Sequence, residues 1–178
     1  MQSSNNIIKL NDPDLFKLSI GSRVLQKELV ENGSIDVISA NINESFGKIN
    51  KEYLDNYNVE YILWGIDGDW MVRTTNIGEK FYPTDHCGYI EVLDNSINPK
   101  YLAKMFEKEG FKLRFSRSNR ASIDRISNIE IKLPNIEIQN EIIIKVNKLE
   151  NKISELEADM NNFTQEKVDL VRNILEIK

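Results

Sequence analysis

The densest set of side chains able to do chemistry is "KLRFSRSNRASIDR", Lys112 to Arg125, where Arg114, Arg117, Arg120 and Arg125 alternate with Ser116, Ser118, Asn119 and Ser122. Arg and Asn grip guanine and adenine edges bidentately and Ser hydroxyls suit phosphates, so this segment has the chemistry of a nucleic-acid contact. A solvated basic loop has the same composition. Glu130-Ile131-Lys132 has the Glu-x-Lys form of some nucleases, yet it is also the outward face of an ordinary strand, and no acidic partner motif lies at a sensible distance. His86 and Cys87 are adjacent, and neighbours on a strand point to opposite faces, which excludes a nucleophile and base pair. A hydrogen-bonding His86 is the simpler reading. Asp67, Asp69 and Asp85 suggest acid chemistry or a cation site, but the first two sit in a turn where Asp is favoured for backbone reasons.

Other constellations are missing. The glycines of "WGIDGDW" do not have the spacing of a phosphate-binding loop, and no Asn/Asp-Pro-Pro-aromatic methyltransferase motif occurs. One cysteine excludes an internal disulfide and a Cys-rich zinc cage, and with a single histidine no metal is expected. The net charge of −5 argues against a nucleic-acid partner, but it is unevenly spread. Lys100–Arg125 holds eight basic and three acidic residues, whereas Ile136–Lys178 holds six and nine.

Short β-like runs ("IDVIS", "EYILWGI", "WMVRTT", "CGYIEVL", "IEIKL") must position these groups, separated by Asn, Gly and Asp turn signals. Asp67-Gly68 between two apolar runs predicts a hairpin, flanked by Trp64 and Trp70. Asn98-Pro99 predicts a helix start, with Gly110 as its stop; a weaker helical pattern covers "SRVLQKELVENG" up to Gly33. The expected class is α+β: a mixed or antiparallel sheet domain over residues 1–135, then a long coiled-coil-forming helix over 136–178.

Beyond Pro134 the apolar period becomes helical. With Val146 at a heptad a position, Leu149, Ile153, Leu156, Met160, Phe163, Lys167, Leu170, Ile174 and Ile177 fall on successive d and a positions, and of the ten only Lys167 is charged. A helix of about 40 residues spans roughly 60 Å, beyond the diameter of a domain this size, so its far end needs another helix. A coil used only for homodimerisation satisfies that pattern. At 40% hydrophobic and 29% charged the chain reads as globular. It lacks an apolar run of membrane-span length and a signal-peptide start, so the expectation is a cytoplasmic protein with no membrane partner.

An ordered set of segments resembles the target-recognition domain of type I restriction-modification specificity subunits: "LSIG" (Leu18–Gly21), "VISAN" (Val37–Asn41), "ILWGIDGDWMV" (Ile62–Val72), "FYPTDHCGYI" (Phe81–Ile90), "INPKYLAKMF" (Ile97–Phe106), "RFSRSNRASIDRI" (Arg114–Ile126) and "IKLPNIEIQNEII" (Ile131–Ile143). The Leu-Pro, Gln, long-helix junction is its most specific element. The resemblance implies a non-catalytic subunit that binds double-stranded DNA. Its helical spacer would separate two recognition domains and dock adenine methyltransferase subunits, with S-adenosylmethionine held by those partners and a restriction or translocase subunit as a further one. A full specificity subunit carries two recognition domains and two spacers; this chain has one of each, which implies a half subunit that homodimerises through its helix. Family spacers pair antiparallel, whereas Lys145 with Glu150 and Lys152 with Glu157 make favourable g-to-e pairs in a parallel coil. Under this reading Arg117, Asn119 and Arg120, with Arg73, Thr74 and Thr75 after the Trp hairpin, are the candidate sequence readers, and Ser118 is a further DNA-binding candidate. Arg23, Lys27, Lys48 and Arg114 are the candidate phosphate contacts. The rival from another class is a coiled-coil scaffold joining two protein-binding modules without DNA specificity.

Overall fold

A computed structural model describes residues 6–176. Among them the elements run β1 (Asn6–Lys9), β2 (Phe16–Ile20), β3 (Ile35–Ile38), β4 (Ser45–Ile49), β5 (Tyr61–Gly65), β6 (Val72–Thr74), β7 (Phe81–Pro83), β8 (Cys87–Val92), α1 (Pro99–Leu113), α2 (Ile123–Ile126), β9 (Glu130–Leu133) and α3 (Ile136–Glu176). The fold is α+β, as expected. Internal contacts divide the chain into a unit ending at Gln139 and a second beginning at Asn140, so the first turn of α3 belongs with the sheets.

The central sheet has the order β2-β8-β5-β6 and is antiparallel throughout. Strand β5, "YILWG", is buried along its whole length because both faces are covered. Side chains alternate across a strand, and here the alternation divides two cores. Ile62 and Trp64 join Phe16, Ile90, Leu102 and Phe106 on the α1 side, whereas Tyr61 and Leu63 join Ile38, Phe81, Cys87 and Tyr89 on the other. That second face is closed by a three-stranded sheet of order β4-β3-β7, in which β3 and β7 run parallel. β1 and β9 form a separate antiparallel pair.

Helix α1 starts as predicted: the Asn98 side chain accepts from the N–H groups of Lys100 (2.9 Å) and Tyr101 (3.1 Å), with Pro99 in the first turn. It does not stop at Gly110. A Cβ there would lie 2.2 Å from Cε2 of Trp70, so Gly110 serves to let the indole lie on the helix, and Trp70 Nε1 donates to Glu107 O at 2.8 Å. The helix runs on to Leu113 and ends at Arg114 in the left-handed conformation (φ 54°).

The helix predicted over residues 22–33 is replaced by one 3-10 turn, Gln26–Glu28. Tertiary packing overrides the local pattern: Val24 and Leu29 pack against a small core of Ile35, Val37, Ile49 and Tyr82, and Val30 N–H donates to Lys48 O at 2.8 Å.

The entry to α3 is fixed from within the first unit. Asn135 caps it, accepting from Ile138 N–H at 3.0 Å. Gln139 is fully buried; its Oε1 accepts from Asn98 N–H (2.9 Å), and its Nε2 donates to Ser96 O (3.0 Å) and Pro134 O (2.8 Å). One amide thus ties the start of α1 to the start of α3.

The second unit is helix alone. Leu149, Ile153, Leu156, Met160, Phe163, Leu170 and Ile174 are each 50–68% exposed, so the stripe read from the heptads is uncovered in the single chain. Val146 is half-buried, and Ile177 lies outside the described residues. No helix among the described residues is long and apolar enough to cross a membrane.

Candidate nucleic-acid interface

Three loops converge where β5 ends and β8 begins. Ile66 N–H donates to His86 O and Ala121 N–H to Ile66 O, both at 3.0 Å, and Trp64 Nε1 donates to Ala121 O at 2.9 Å. These bonds join the loop after β5, the loop before β8 and the basic loop after α1. The β5–β6 ladder stops at the Trp64–Val72 pair, so the predicted hairpin forms around a longer loop than a two-residue turn. Gly68 supplies its positive φ (88°).

The basic loop is a tight turn closed by Ser116 N–H to Asn119 O (3.0 Å) and Asn119 N–H to Ser116 O (3.1 Å). At its tip Arg117 is exposed and has no side-chain hydrogen bond or ion pair among the described residues. Ser118 is exposed too, its hydroxyl 3.2 Å from that of Ser116. Asn119 departs from the expectation of a base reader because its amide is already occupied. Nδ2 donates to Leu113 O (2.9 Å), closing the end of α1, and Oδ1 accepts from Arg125, which also donates to Arg120 O (3.0 Å). Asn119 and Arg125 build the turn that presents Arg117. Arg114 is exposed at the helix cap.

Arg120 is held rather than free. Its Nε pairs with Asp67 Oδ1 and its Nη2 donates to Asp67 Oδ2 at 3.0 Å, while His86 Nδ1 bonds the same Oδ2. Burial alone would raise the Asp67 carboxyl, but the hydrogen bonds and charges of His86 and Arg120 outweigh it and hold the carboxyl below its ordinary value. Asp67 is therefore more than a turn residue, and His86 is the hydrogen-bonding residue its sequence context suggested. Residues 67 and 120 are 53 positions apart, and nothing in the sequence pairs them.

The strand after the hairpin contributes less than its sequence promised. Thr75 is buried and its hydroxyl accepts from Tyr61 N–H at 2.9 Å, so burial removes it from any interface. Arg73 is spent internally, donating from Nε to Ile42 O (2.7 Å) and pairing through Nη1 with Glu79 (2.8 Å). Thr74 is half-buried in β6. Arg23, Lys27 and Lys48 are all exposed, but on the 22–30 segment and β4 rather than on the loops around Asp67.

The remaining chemical candidates are structural in character. Burial pushes the Cys87 thiol up to about 12, far from a reactive thiolate. Glu130 pairs with Lys9 at 3.4 Å across the β1–β9 ladder. Among the described residues no group of three or more His, Cys, Asp or Glu is placed to hold a metal ion.

A sheet unit with loops gathered at one end, followed by a long helix, defines the class. The fold superposes on the HsdS subunit of Thermoanaerobacter tengcongensis with a TM-score of 0.68, at 9% identity over 88% of this chain and 40% of that one. It superposes on the type I restriction-modification S subunit of M. genitalium with a TM-score of 0.64, at 15% identity over 86% of this chain and 42% of that one. Residues 7–163 match the type I restriction modification DNA specificity domain, and the chain belongs to that family. A relative from Mycoplasma pneumoniae, named as a type I specificity subunit, is 28% identical over 91% of this chain. The chain spans 55% of that relative's length.

Proposed function

We propose that the chain is the non-catalytic DNA-reading component of a type I-like restriction-modification system. Its loop end contacts one half of a two-part target, and α3 pairs with a second copy of itself. The paired chains place adenine methyltransferase subunits, which hold S-adenosylmethionine, on the DNA, and a restriction or translocase subunit joins them. The observation that carries the reading is the hydrogen-bonded basic turn, which offers Arg117 unpaired among the described residues and Arg120 fixed from the same loop between α1 and α2. Family membership across both the sheet unit and most of the helix supports it.

The acidic total fits a reader that borrows affinity. The net charge is −5, so the methyltransferase partners supply much of the phosphate contact, and the lone chain binds weakly, with a shallower salt dependence than the assembled complex. The test is to co-express the chain with its host's adenine methyltransferase and map methylated adenines by single-molecule sequencing. One two-part motif that vanishes when the chain is omitted is the expected result. Methylation indifferent to the chain would leave the coiled-coil scaffold as the better account.

A further inference from the structure

An arginine on a loop satisfies a phosphate as readily as a base, and phosphates are the more numerous target. What separates the two is whether the guanidinium is held in one orientation before DNA arrives. Arg117 is not held; Arg120 is. Arginine has five N–H donors, and Asp67 takes two of them, from Nε and Nη2 along one edge. The three that remain include one on each terminal nitrogen, the end-on fork that matches O6 and N7 of guanine. Arg120 stays 54% exposed in this clasp, whereas Asp67 is 20% exposed beneath it.

Asp67 is itself fixed. His86 also bonds the carboxylate, at Oδ2, and the backbone bonds Ile66 to His86 and Ala121 to Ile66 join the three loops whether or not the carboxylate is charged. From this geometry we infer that Asp67 is a positioning residue that orients Arg120 to read a guanine, an inference that rests on the DNA-reading function proposed above. A carboxylate at a surface meant for a polyanion weakens sequence-independent binding, so its removal affects the two kinds of binding in opposite directions.

The experiment compares the full-length wild type, Asp67→Asn and Arg120→Lys in low salt, each in complex with its host's adenine methyltransferase. Each is used to select from a library of randomised duplexes and is titrated against one fixed duplex of random sequence. For Asp67→Asn the expected result is a loss of roughly 10- to 100-fold discrimination at a single guanine, with binding to the random duplex unchanged or a few-fold tighter. Arg120→Lys, which keeps the charge and loses the fork, loses the same guanine. An Asp67→Asn motif identical to the wild type's, or equal weakening of selected and random duplexes, overturns the inference alone. If Asp67→Asn does not fold, retention of every guanine by Arg120→Lys overturns it. A wild type that enriches no motif overturns the DNA-reading function and this inference together.

Discussion

The unit up to Gln139 and the helix beyond it solve the same problem in opposite ways. In the first, a central sheet is covered on both faces. No buried side-chain nitrogen or oxygen among the described residues lacks a hydrogen-bond partner. In the second, polar side chains bond along the helix, as Lys152 does with Glu155 (3.2 Å) and Gln165 with Asp169 (3.0 Å), while the apolar stripe from Leu149 onward stands in water. The first unit is specified by its own sequence. The helix is specified by a surface it does not carry, and burying the stripe would contribute on the order of ten kcal/mol or more before entropy is subtracted.

The largest effect should come from breaking the helix side of that contrast. Leu156→Glu with Met160→Glu removes two apolar side chains worth about 1.5–3 kcal/mol each when buried and places two charges in the seam. Association should weaken by at least about 5 kcal/mol, read as conversion to monomer in sedimentation equilibrium. Thermal unfolding of the sheet unit should be unchanged, since both side chains are exposed in the single chain.

Trp64→Ala tests the other side. It opens a cavity in the α1-side core and deletes the bond from Nε1 to Ala121 O, so a loss of about 3–5 kcal/mol in urea unfolding is expected. Helix association should survive it. Equal loss of both properties in either variant would mean that the two units are not independently specified.

Which parts were legible in the sequence follows the same division. The short β-like apolar runs "EYILWGI" and "CGYIEVL" reported buried strands, and the heptads reported the helix, because both signals are local. Gly110 was misread because a glycine near a helix end and a glycine under a tryptophan look alike until Trp70 is placed, 40 residues away in sequence. The 22–33 segment has helical spacing, but its apolar side chains are claimed by β3 and β4 before a helix can use them. At the candidate interface, residue type alone could not separate Arg117 from Arg73 or reveal that Asn119 is consumed in its own turn. Side-chain chemistry is legible in sequence; whether its donors are already spent is not.

Gln139 sits on the border between the two units and sharpens the comparison. Gln139→Ala leaves Asn98 N–H and the Ser96 and Pro134 carbonyls without the partners they have now. The sheet unit should lose about 2–3 kcal/mol in urea unfolding, the desolvation cost of buried groups left unpaired. Association through the distant stripe should not change when measured below the unfolding transition.

The smallest expected effect concerns pH. The Asp67 carboxyl is held below its ordinary value in the folded chain, chiefly by the hydrogen bonds and charges of His86 and Arg120 acting against burial. A carboxylate depressed on folding contributes stability above its unfolded pKa of about 3.9, and that contribution is lost as pH falls through the folded value. Asp67→Asn should therefore be slightly less stable than wild type at pH 7, by under about 1 kcal/mol because the cluster is partly solvated. Urea unfolding of the two proteins should converge as the pH falls through the folded value, where the wild-type carboxyl gains its proton. A difference that persisted there would assign the stabilisation to shape rather than charge. A difference that disappears with acid, while Helix α3 still associates, would place this electrostatic clasp wholly within the self-sufficient unit.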